Sequence, residues 1–246
     1  MKLSQPQSIR TIFFDAGFTL LQPFPSTAEV CQRVCRQLDL HVDLPQMQQR
    51  LQEAEDLYFR QTRLNNTWAE EETINAFWIE LYAATVRPLI AEHDERRISI
   101  LATAINEEFT KHTNWQLFPD VLPTLQTLRA RGYHMGVISD WGIGLGPLLR
   151  ELHVTPYIDC LTVSALARYA KPSPHLYDLA LQRANAIPDY SIHIGDSYIH
   201  DVLGARSVGI HPILLDRLDL LSTQKIDCPV VHSLRELLNL LEVDKE

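Results

Sequence analysis

Apolar positions along the chain fall into two textures. The first apolar run, Thr11-Ile12-Phe13-Phe14, is β-branched and aromatic, stops at Asp15 and is followed by Gly17. A run this short, bounded by a turn residue, predicts a buried strand. Pro23 and Pro25 then break the chain, and Ser26-Thr27-Ala28-Glu29 has the spacing of a capping box, which predicts a helix start. From Ser26 to about His112 no strand is predicted. Residues 53–60, 67–86 and 98–109 repeat apolar positions at three and four, the helix period. Thr67 with Glu70 reads as a second cap, Pro45 and Pro88 as punctuation, and four or five helices are expected.

Beyond Trp115 the texture changes. Strand patterns at 133–139, 158–164, 191–194 and 210–215 alternate with helical patterns at 121–131, 145–153, 174–184 and 199–208. Alternation of this kind builds βαβ units and a parallel sheet. The first strand stands apart from the others, so the helical block reads as an insertion after it: residues 1–21 and 115–246 form an α/β core and 22–114 a helical domain.

Composition narrows the functional classes. The chain has 246 residues, 46% hydrophobic and 22% charged, with a net charge of −9. Those values describe a folded globular protein, and the acidic balance argues against a broad nucleic-acid binder. Cys31, Cys35, Cys160 and Cys228 are too few for a disulfide scaffold and are expected to be reduced thiols. No apolar run approaches the ~18 residues of a membrane span. Asp15 interrupts the N-terminal apolar stretch, so no secretory signal is read and a cytoplasmic location is expected, with no membrane or nucleic-acid partner.

Several polar residues stand at the ends of predicted strands, where open α/β sheets bind ligands. Asp15 ends the first strand; alone it is equally a nucleophile, a metal ligand or a turn cap. Gly195-Asp196-Ser197 follows the apolar strand at 191–194, and Asp201 lies five residues beyond Asp196. These carboxylates are hard oxygen ligands suited to magnesium, or else caps of the next helix. Ser139 ends the strand at 133–139, where a hydroxyl can hold phosphate oxygens. Lys171 precedes the proline-started helix at 174 and could neutralise an anion.

Together and in this order, FFDAGFTLL (13–21), VISD (137–140), AKPSPHLYDLAL (170–181) and HIGDSYIHDVLGAR (193–206) resemble the haloacid dehalogenase (HAD) superfamily of phosphohydrolases. The resemblance implies a Rossmann-like parallel-sheet core with an inserted all-helical cap. It implies Asp15 as the nucleophile that becomes an aspartyl-phosphate, with Ser139 and Lys171 binding phosphate. Asp15, Asp196 and the carbonyl of Gly17 would hold Mg2+, with Asp201 supporting that shell and Thr19 bracing the loop. The implied substrate is a small phosphorylated molecule.

The resemblance breaks at Gly17, where phosphatases of the superfamily carry a second Asp that protonates the leaving alcohol and later activates water. Such a group contributes roughly 10²–10⁴-fold, or about 2.7–5.4 kcal/mol. A glycine there also permits a left-handed backbone. Two readings follow: a weakly active hydrolase of the phosphatase type, or a non-catalytic phosphate-binding or regulatory protein. Dehalogenation is disfavoured by the metal-type Gly-Asp segment, and phosphonate cleavage because Lys111 is the one lysine between Ser26 and Trp115. Asp140 stands where Asn is more usual. Trp68, Phe77, Trp78 and Tyr82 could line a substrate pocket, but at helical spacing they read first as core.

Overall fold

The structure, a computed structural model, describes residues 6–62, 67–91, 94–220 and 226–241. They form two compact units, Met1–Gln22 with Leu117–Glu246, and Pro23–Gln116.

The first unit is α/β. A six-stranded, wholly parallel sheet runs in the order β5-β4-β1-β6-β7-β8. Its strands are β1 (Thr11–Phe14), β4 (His134–Ser139), β5 (Cys160–Val163), β6 (Ser191–Gly195), β7 (His211–Leu215) and β8 (Val230–Val231). All four residues of β1 are buried because helices cover both faces of a parallel sheet. In register, Phe14 pairs with Val137 of β4 on one side and Ile194 of β6 on the other. The ends of these three strands are therefore neighbours. Between strands run α5 (Val121–Ala130), α6 (Leu145–Glu151), α7 (Ser164–Ala167), α8 (Pro174–Ala184) and α9 (Gly204–Ser207), and α10 (Leu234–Leu240) follows β8. Phe13, Ile138, Leu176, Tyr177, Ala180 and Ala205 form a fully buried cluster between sheet and helices.

The second unit is helical: α1 (Thr27–Gln37), α2 (Leu44–Thr62), α3 (Glu71–Val86) and α4 (Glu95–Glu108), with short 3₁₀ turns between. Ser26 and Glu29 make the predicted capping box. The second predicted cap falls on two elements and not one. Thr67 opens a 3₁₀ turn, and Glu70 precedes α3 without a side-chain cap. The Thr73 hydroxyl instead donates to the carbonyls of Thr67 and Glu70, at 2.6 and 2.9 Å, joining that turn to the helix. Pro45 does not interrupt: it sits in the first turn of α2, where its missing N–H costs nothing, and Asp43 caps that helix by accepting from Gln46 N at 2.8 Å. The aromatic residues pack on one another. Trp68 meets Phe77 and Trp78 at ring distances of 5.0 and 5.8 Å, and Tyr82 stacks between Trp78 and Phe109 at 6.0 and 5.7 Å.

Two short strands at the unit boundary, β2 (Leu21–Pro23) and β3 (Trp115–Leu117), were not expected from sequence and pair as a two-stranded sheet. Three residues each leave too little period to read. All four cysteines are free. No helix among the described residues is long and apolar enough to cross a membrane.

Leu101 of α4 is fully enclosed in the helical core beside Met47, Leu81 and Ile105. Leu101→Ala is expected to cost roughly 2–5 kcal/mol through lost burial and an unfilled cavity, read as a lowered urea midpoint.

Candidate active site

The site is built where β1, β4 and β6 end side by side. Asp15 follows β1, and its N–H donates to Ile194 O at 2.9 Å. Ser139 is the last residue of β4; its hydroxyl donates to Asp15 Oδ1 at 3.2 Å. Lys171 arrives from the turn before α8. Its own N–H is fixed by the Asp140 carboxylate at 2.9 Å. From there its ammonium reaches Asp15 Oδ1 and Asp201 Oδ1, each at 2.6 Å. Asp196 follows β6, and carboxylate oxygens of Asp15, Asp196 and Asp201 lie within 4.8 Å of one another. Sequence-predicted Asp15, Ser139, Lys171, Asp196 and Asp201 are thus brought together.

Asp201 is positioned by an unusual local backbone. Tyr198–Leu203 is a π-helical segment leading into α9, and both Asp201 N–H and Val202 N–H donate to Ser197 O, at 2.9 and 3.2 Å. Widened turns of this kind recur at functional sites. The Asp201 carboxylate folds back over Gly195 and accepts from Ser197 N at 2.9 Å through Oδ2. A Cβ on Gly195 would lie 2.2 Å from Asp201 Cγ, so the glycine of the Gly-Asp pair is required by that close approach.

His193 was missed by the sequence reading. It is fully buried in β6, and its Nε2 bonds Asp201 Oδ1 at 2.9 Å. A histidine between two isoleucines in an otherwise apolar strand was the available signal. Burial lowers its pKa, against the pull of the Asp201 hydrogen bond. The neutral imidazole therefore donates from Nε2, and its buried Nδ1 has no partner among the described residues.

The charges are unequal: three carboxylates face one ammonium. Burial opposes the Lys171 charge, but Asp15 and Asp201 outweigh it and hold its pKa well above the usual lysine value. Burial also opposes ionisation of Asp201, but Lys171 and His193 hold it well below the usual carboxylate range. Asp15 is raised, by burial first and by Asp201, with Lys171 opposing. Crowding by protein atoms, then the like charges of Asp15 and Asp201, push Asp196 up to about 8, although its side chain keeps an exposed edge. Asp140, raised to about 7 mainly by burial, keeps Oδ2 without a partner among the described residues.

The turn after Asp15 carries Gly17 and Thr19. Phe18, not Gly17, takes the left-handed backbone, with φ 52°. The Thr19 hydroxyl is buried without a partner among the described residues. The turn is held instead through the Thr19 carbonyl, which accepts from Arg217 at 2.8 Å. Arg217 also donates twice to Asp120, at 3.0 and 3.1 Å, and lies 3.9 Å over the Phe118 ring. Neither Arg217 nor Asp120 stands in a motif that would join them.

The family model for haloacid dehalogenase-like hydrolases matches residues 9–209. The zebrafish (Danio rerio) haloacid dehalogenase-like hydrolase domain-containing protein 3 is 29% identical over 231 residues, covering 93% of each chain. A glyceraldehyde 3-phosphate phosphatase of Methanothermobacter thermautotrophicus is 29% identical over 125 residues, 50% of this chain and 55% of that protein. Among solved structures, the HAD-hydrolase YfnB of Bacillus subtilis, described as bound to magnesium, superposes with a TM-score of 0.72 at 17% identity. That match covers 96% of this chain and 99% of YfnB, and supports the fold.

Gly195→Ala is expected to push the Asp201 carboxylate out of place. The overpacking should cost roughly 1–3 kcal/mol, measured by urea unfolding.

Proposed function

The chain belongs to the haloacid dehalogenase-like hydrolase family, and we propose that it is a magnesium-dependent hydrolase of a small phosphorylated molecule, working through an aspartyl-phosphate on Asp15. The observation that carries this reading is the buried Lys171 ammonium on Asp15 Oδ1, with Ser139 on the same oxygen. That pair of donors is suited to drawing phosphate oxygens toward the carboxylate that attacks. The relatives named glyceraldehyde 3-phosphate phosphatase support the substrate class.

The donor set fits magnesium. Carboxylate oxygens of Asp15, Asp196 and Asp201 gather within 4.8 Å, and their negative charge exceeds what Lys171 balances. Asp15, Asp196 and the Gly17 carbonyl would hold the ion. Asp201, whose oxygens already serve Lys171, His193 and Ser197, would support them. When bound, the ion offsets the repulsion between carboxylate and phosphate.

In the first step an Asp15 oxygen bonds to phosphorus as the bond to the leaving oxygen breaks, and that oxygen departs with the electron pair. Lys171 and Ser139 hold the phosphoryl oxygens. Water then adds to phosphorus and the Asp15 carboxylate departs. One proton of that water ends on inorganic phosphate and the other on the released alkoxide. Gly17 supplies no acid for the first step and no base for the second, which reduces turnover. The helical unit, Pro23–Gln116, would act as a cap that selects the substrate.

The test is a screen of phosphate esters and acyl phosphates with magnesium. Asp15→Asn should lower turnover by roughly 10³-fold or more, and a phosphoryl adduct on Asp15 should be trapped by mass spectrometry in the wild type. Asp196→Ala removes a ligand and should weaken magnesium binding in calorimetry by at least the roughly 10–100-fold that loss of an outer-shell partner costs; unchanged affinity would overturn this metal site. Phosphate binding with no turnover of any ester or acyl phosphate would favour the non-catalytic reading, for which Gly17 speaks.

A further inference from the structure

One ring narrows the room beside Gly17. A Cβ built on Gly17 lies 3.3 Å from Trp141 Cζ3 and 4.0 Å from Cε3, tighter than a comfortable carbon contact. Trp141 is not a loosely placed surface residue. It comes two positions after Ser139 at the end of β4, and its N–H donates to the buried Ser164 Oγ at 3.0 Å. Its carbonyl accepts from the same hydroxyl and from Ala165 N, each at 3.3 Å. The start of α7 thus pins its backbone, and the half-buried indole lies against the turn that follows Asp15. Since Gly17 does not use a left-handed backbone, the obstacle to a side chain there is this ring and not the local φ.

We propose that Trp141 is a specificity-determining residue of the site: its indole crowds the Cβ that an acid at position 17 would add and offers the departing group an aromatic edge. This rests on the hydrolase reading above. The site then takes phosphate compounds whose leaving oxygen departs without a proton. Acyl phosphates and aryl phosphates qualify, because resonance spreads the charge left on their oxygen. An aryl group gains further from contact with the indole. Simple alkyl phosphates, whose alkoxide needs a proton, are poor substrates. Gly17 and Trp141 act as a pair, so restoring an acid at 17 succeeds only when the ring is cut back.

The experiment is a double-variant cycle. Wild type, Gly17→Asp, Trp141→Ala and the double variant are assayed with magnesium on phenyl phosphate, acetyl phosphate and an alkyl phosphate. Gly17→Asp alone should gain little on the alkyl phosphate. The double variant should exceed either single variant at least about tenfold, within the ~10²–10⁴-fold that an acid can supply. Trp141→Ala should raise KM for phenyl phosphate by roughly 2–10-fold and leave KM for acetyl phosphate nearly unchanged, while Trp141→Phe keeps most of the phenyl phosphate affinity. An equal alkyl phosphate gain in Gly17→Asp and the double variant would overturn the proposal. So would a phenyl phosphate KM indifferent to Trp141.

Two readouts do not need turnover. Gly17→Ala should lower the thermal midpoint in the wild-type background and much less in Trp141→Ala; equal losses would refute the contact. Phenylphosphonate binding, measured by calorimetry, should weaken in Trp141→Ala while methylphosphonate binding holds. That pattern with no hydrolysis by any variant would sink the hydrolase reading and leave the pairing of Trp141 with position 17 standing.

Discussion

A buried ammonium shared by two carboxylates organises this protein. Lys171 is almost wholly removed from solvent, and an isolated charge in that position would be prohibitively costly. It is tolerated because Asp15 and Asp201 each approach to 2.6 Å. The partners come from distant parts of the chain, so the pairing binds the end of β1, the turn before α8 and the segment after β6 into one unit. Deleting one member of such a buried group typically costs roughly 3–5 kcal/mol, because the others are left uncompensated. The arrangement is therefore a demanding foundation, retained with its charges unequal.

Supporting structure exists to keep those charges in place. Gly195 gives up its side chain so that Asp201 can fold over it, and the π-helical segment sets the angle. His193 donates from beneath to the oxygen that Lys171 also uses. Asp140 fixes the backbone from which Lys171 extends. Farther out, Arg217 holds the Thr19 carbonyl while Asp120 accepts both from Arg217 and from Leu234 N, at 2.7 Å. The turn after the nucleophile candidate is thereby tied to the starts of α5 and α10.

Much of this was legible in the sequence, for physical reasons that differ by element. β1 was plain because a strand buried on both faces reads as a near-continuous apolar run. The helices 121–130 and 174–184 were plain because one apolar stripe must face the sheet. Asp15, Ser139 and Asp196 stand out because strand ends of a parallel sheet converge, whereas Lys171 and Asp201 join them through the family resemblance. Thr67 and Glu70 stand at the starts of two different elements, a 3₁₀ turn and α3, and not of one helix. β2, β3 and β8 are too short to carry a period. Arg217 and Asp120 were hidden because a pair 97 residues apart leaves no local trace. Trp141 stands in no motif, and its contact is with a glycine 124 positions earlier.

The ribbon of β2 and β3 has a consequence for how such a chain can change. Both passages into and out of the helical unit run through adjacent strands, so that unit is joined at what amounts to one address. A cassette with neighbouring ends can be lengthened, shortened or exchanged wholesale without shifting the pairing of β1 with β4 and β6. The arrangement at the strand ends and the content of the helical unit can thus be inherited separately. One sheet can carry many different inserts across evolution, provided each returns the chain to the same two-stranded doorway.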